Sequence, residues 1–121
     1  MKVKCINNFI ETPKINMINA NLKGYLQIGT LFWVYGIRCC SNVTYLYIFN
    51  GNHLFEAPID FFEIIDNRIS KEWLIKSWRN GEITFWPDLF FREGFLENFA
   101  ERELLERNLF GSLKERIEQD L

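Results

Sequence analysis

Apolar and polar positions alternate along the first part of the chain, and a four-residue spacing takes over near its end. Alternation marks half-buried strands, and the wider spacing marks a helix face. Residues 1–7, MKVKCIN, read as a short strand with Val3 and Cys5 on one side. An Asn-rich stretch up to Gly24 follows and reads as loop. YLQIGTLFWVYGIRCC then reads as a strand, or as two halves joined at Gly29. Leu31, Trp33, Tyr35, Ile37 and Cys39 would share one face, and Gly36 suggests a bulge or a close backbone approach. After the Ser41-Asn42 turn, VTYLYIFN pairs back as a hairpin, and Asn50-Gly51 marks the next turn. His53–Ala57 and IDFFEIID supply further strands around Pro58.

The pattern then changes. Ser70 stands as a helix N-cap before KEWLIKSW, with Ile69 and Leu74 at staple spacing and Asn80-Gly81 as the stop. EITFWPDLFF reads as a strand to Trp86, then a turn or short helix after Pro87. From Phe95 onward the chain reads as helix: Leu105, Leu109, Leu113 and Ile117 fall four apart, with Phe99, Leu104 and Phe110 close by. The expected fold is therefore α+β: a small antiparallel, SH3-like, partly open β-barrel followed by C-terminal helices. One domain over 1–121 is expected, mainly β over 1–67 and mainly helical over 68–121.

Composition supports a globular chain, at 48% hydrophobic and 25% charged. The aromatic share of 17% supplies large rings for a core or for interface anchors. No apolar run has the length of a signal peptide or of a bilayer span, so a cytoplasmic protein is expected. Three cysteines, two of them the neighbours Cys39 and Cys40, are not a disulfide framework. The net charge of −2 hides an asymmetry. Residues 1–50 carry Lys2, Lys4, Lys14, Lys23 and Arg38 against Glu11 alone, and the rest of the chain is acidic. That balance disfavours a broad nucleic-acid surface and suits a basic protein partner.

Catalytic patterns are sparse. The single histidine, His53, has no fixed relation to Cys5, Cys39 or Cys40. Adjacent cysteines do not make a chelate, and no phosphate-binding glycine loop or hydrolase motif occurs. No catalytic residue, metal or cofactor is expected.

Three stretches carry a resemblance: MKVKCINN, IGTLFWVYGI and APIDFFEIIDNRISKEW. In that order they resemble a family of small bacterial proteins reading K-C-I-x-N, I-G-x-x-Y-x-V-Y-G-I and P-x-x-x-F-E-I-x-D-x-R-L-S-x-x-W, with an acidic helical tail. The match covers residues 1–9, 28–37 and 58–73. Trp33 departs from the family's simpler aromatic residue, and the loop 10–24 has no counterpart. Such proteins look like immunity proteins of toxin–immunity systems in bacterial competition. The resemblance implies a non-enzymatic factor that binds a cognate, basic toxin, such as a nuclease, and blocks its active or substrate-binding surface. Asp60, Glu63, Asp66, Glu82, Trp86 and Asp88 are the expected contact residues, mixing acidic charge with an aromatic anchor. Two other readings stand beside it. One is an SH3-like module binding nucleic acid or peptide through Tyr45, Tyr47 and nearby cations. The other is a small thiol enzyme using Cys39 or Cys40.

Overall fold

The computed structural model describes residues 1–101 and 103–119. Among the described residues eight strands form two antiparallel sheets: β1 Lys2–Cys5, β2 Leu31–Trp33, β3 Gly36–Cys39, β4 Thr44–Phe49, β5 Leu54–Pro58, β6 Phe62–Asp66, β7 Trp73–Ser77 and β8 Ile83–Pro87. Short 3-10 turns cover Ile59–Phe61 and Asp88–Phe91. Helices α1, Phe95–Ala100, and α2, Leu104–Gln119, close the described chain. The small sheet has the order β2-β1-β6, the large one β5-β4-β3-β8-β7.

β4 shows why the layers stack as they do. Leu46 and Ile48 point into one core with Val3, Cys5, Val34, Phe61 and Phe62, under the three-stranded sheet. Tyr47 and Phe49 point the other way, onto Phe90, Phe95, Phe99 and Phe110 of the helical layer. Alternation puts successive side chains on opposite faces, so an apolar run such as TYLYIF is covered on both. The result is three layers: small sheet, large sheet, helices.

The α+β class holds, with two antiparallel sheets that do not close into a barrel; the SH3-like form is not confirmed. The stretch expected as one strand, or as two halves joined at Gly29, divides instead at Val34-Tyr35, and its halves join different sheets. The five residues expected on one face are therefore divided between two layers. The helix expected over residues 70–78 is strand β7. Ser70 does accept from the Glu72 amide through its hydroxyl (3.1 Å), as a cap would, but no helical turn continues it. Asn80-Gly81 is a hairpin turn: Gly81 has φ +90°, Trp78 donates to Glu82 (2.8 Å), and β7 pairs with β8 from Trp73↔Pro87 to Ser77↔Ile83. Trp73 is buried and its indole donates to the Tyr35 carbonyl (3.0 Å), an anchor that only the sheet supplies. The part expected to be mainly helical thus opens with two strands. Within the C-terminal stripe, Phe99, Phe110, Leu113 and Ile117 are buried, whereas Leu104 and Leu105 face solvent.

Gly36 permits a close crossing. A Cβ there would lie 3.2 Å from the Phe85 carbonyl oxygen, from the Phe90 ring and from the Trp86 ring. Gly36→Ala is expected to cost about 1–3 kcal/mol through overpacking. A lowered urea midpoint with an unchanged slope is the measurement that checks it.

Candidate functional site

A charged centre lies on the helix-side face of the large sheet. Arg38 on β3 stands between Tyr45 of β4 and Thr84 of β8. Its guanidinium forks onto Glu56 of β5, with Nε donating at 2.5 Å and Nη2 at 3.0 Å. Nη1 donates to Glu82 (3.1 Å) and to the Cys40 sulfur (3.1 Å). The group also lies 4.8 Å from the Tyr45 ring centre. Arg38 and Glu56 are only 20% and 17% exposed, which makes this a partly desolvated network rather than a surface pair. Hydrogen bonding to Glu56 raises the Arg38 pKa, so the cation is permanent. Beside it opens a cleft of about 220 Å³ bounded by Asn16, Ser41, Asn42 and Tyr45.

This centre is built to hold charge in place. Two carboxylates face one guanidinium whose donors are mostly spent on them. Burial pushes the Cys40 thiol up, Arg38 pulls it down, and Glu82 and Glu56 push it up again, so it stays protonated. Burial also raises the Cys5 thiol. His53 sits in the β4–β5 turn against Tyr25, with ring centres 5.2 Å apart. Cys40 sits in the β3–β4 turn, at the other end of β4, about 20 Å away for a six-residue strand. A Cys40–His53 dyad has no geometric basis. Among the described residues no group of three or more His, Cys, Asp or Glu side chains is placed to hold a metal ion.

The expected contact residues fall in separate places. Asp60 and Glu63 are exposed near and on β6, and Glu63 is paired in register with Lys4. Asp66 is held by Arg68 (2.5 Å), which keeps its carboxyl well below the usual range. Glu82 belongs to the Arg38 network, and Asp88 lies 3.8 Å from Arg92. Trp86 is half-buried against Tyr47, with ring centres 5.8 Å apart. Tyr45 and Tyr47, the rings of the nucleic-acid reading, are buried and do not present a stacking face.

A different feature stands out on the opposite face. Strands lie about 4.8 Å apart, so a three-stranded layer spans about 10 Å and a five-stranded one about 19 Å. The small sheet therefore leaves one corner of the large sheet bare. Ile75 of β7 is 72% exposed there and Ile83 of β8 is 41% exposed, on the same face as the half-buried Ile37 and Phe85. On the helix-side face of β7, Leu74 is 52% exposed and Lys76 sits over the Trp78 ring at 3.8 Å. The sequence held a signal for this corner. Trp73, Ile75 and Ser77 alternate with Leu74 and Lys76 before an Asn-Gly pair, which is strand-and-hairpin grammar masked by the Ser70 cap.

No family model, curated protein or solved structure matches the chain. No helix among the described residues is long and apolar enough to cross a membrane.

Replacing Arg38 by Met leaves Glu56 and Glu82 half-buried without their cation and is expected to cost about 3 kcal/mol. Arg38→Lys keeps the charge but loses the fork, so its urea midpoint should fall between those of the Met variant and the wild type. In the native protein at about pH 8, Cys5 and Cys40 should alkylate at least about tenfold more slowly than free cysteine. Mass spectrometry of iodoacetamide-treated samples gives the rates.

Proposed function

We propose that this chain is a protein-binding factor of the immunity type, acting in the cytoplasm by occupying the functional surface of a cognate toxin. The observation that carries the reading is the bare corner of the large sheet. Ile75 and Ile83 lie exposed on one face of the paired β7 and β8 strands, an apolar patch of the kind that marks interaction sites. The saturated Arg38 network adds support, because its groups serve one another rather than a substrate. The resemblance of the three sequence motifs to immunity-type proteins points the same way. On this reading the corner supplies the apolar anchor. The exposed Asp60, in the 3-10 turn before β6, and Glu63, on the small sheet, contribute electrostatic steering toward a basic toxin body.

Co-expression with the toxin encoded beside it is the direct test. Growth should be restored, and the two proteins should co-purify. A toxin that kills equally well with and without this chain would sink the proposal. Ile75→Asp and Ile83→Asp should each weaken capture by about tenfold or more while leaving thermal unfolding near the wild-type value. Asp60→Asn with Glu63→Gln should slow association and flatten its salt dependence, with little change in dissociation.

A further inference from the structure

The large sheet has two edges, and the chain treats them differently. The β5 edge is covered by the segment before β2. Asn19 donates to the Glu56 carbonyl (2.6 Å), Asn50 donates to the Tyr25 carbonyl (3.2 Å), and the Tyr25 ring packs on Phe55 at 5.7 Å. At the other edge, β7 has β8 on one side and no strand on its outer side among the described residues.

The register says which groups that edge presents. Trp78 donates to Glu82, which fixes a hydrogen-bonded position at the turn. Such positions alternate along an antiparallel pair, so Lys76 with Thr84 and Leu74 with Trp86 are bonded pairs. Ile75 and Ser77 therefore turn their N–H and C=O groups away from β8, toward open solvent. The side chains at this edge are apolar at Leu74 and Ile75 and cationic at Lys76 and Arg79. The one carboxylate of the stretch, Glu72, is bound by Arg116.

We infer that the partner docks by adding an extended, acidic strand to β7, with its backbone bonded to Ile75 and Ser77. Apolar side chains of that strand would pack on Ile75 and Ile83, and its carboxylates would lie across from Lys76 and Arg79. Charge selects this occupant. A second copy of β7 bonded through Ile75 and Ser77 would set Lys76 directly against Lys76, and like charges across a ladder are unfavourable. The mode rests on the partner-binding reading and names its contact. It makes the docking strand acidic whatever the charge of the partner's body. Main-chain bonds supply affinity, and alternate side chains supply selectivity.

The probe is a blocked synthetic peptide, Glu-Val-Glu-Ile-Glu-Val-Glu, compared with its all-lysine counterpart. The acidic peptide should bind at least about tenfold more tightly and should slow amide exchange at Ile75 and Ser77. Ile75→Pro removes an outward N–H without touching the β7–β8 bonds, a placement that edge strands accept. It should abolish peptide binding while the Leu74 and Lys76 amides stay protected. Lys76→Glu, a surface change, should shift preference toward the lysine peptide and serves if the proline variant misfolds. Equal binding of the two peptides, binding that survives Ile75→Pro, or self-association through β7 in sedimentation would each overturn strand addition. A cognate toxin still captured by Ile75→Pro would overturn this docking mode and leave the immunity reading standing. A toxin that the wild type fails to capture would overturn that reading itself.

Discussion

Two faces of a five-stranded sheet must be covered in this protein, and the layers that cover them are of unequal width. Burying β4 on both sides ties the layers together. Leu46 and Ile48 fasten the small sheet, and Tyr47 and Phe49 fasten the helices. Burial of such side chains is worth about 1.5–3 kcal/mol each, which makes β4 the strand on which both cores depend. The same constraint produces the exposed corner. Three strands cannot shield five, and Ile75 with Ile83 is what remains uncovered.

Charge is arranged on the same plan. Sheet interiors accept a cation only where carboxylates come with it, and Arg38 meets Glu56 and Glu82 from strands on either side. The network joins β3, β5 and the start of β8 and fixes how those strands lie side by side. Its cost in desolvation is offset by a fork of short bonds, so it specifies geometry more than it adds stability. At the rim, β7 offers backbone groups and apolar side chains that the fold itself does not use.

Much of the architecture was legible in the sequence. The strands around Val3, Leu46 and Glu63, the turns at Ser41-Asn42 and Asn50-Gly51, and the C-terminal helical stripe all follow from local periodicity. Local signals failed where two of them competed. Ser70 and the Leu74 spacing argue for a helix, whereas the alternation from Trp73 to Ser77 and the Asn80-Gly81 pair argue for a hairpin. The tie is broken by Trp73, whose indole reaches the Tyr35 carbonyl across 38 residues of sequence. A contact of that range leaves no trace in a local pattern.

The candidate site divides along the same line. Composition and spacing by themselves established an α+β chain with two-sided strands, an acidic C-terminal part and cysteines without ligand company. They could not tell which acids were committed. Asp66, Glu82 and Asp88 look alike in sequence, and only the folded chain brings Arg68, Arg38 and Arg92 to them. They could not tell which isoleucines would stay bare either. Ile37 and Ile75 lie in one row of one sheet, on the same face, and only the width of the layer packed over them leaves one half-buried against the core and the other exposed. Periodicity assigns a side chain to a face, and the packing of one layer on another decides whether that face meets water.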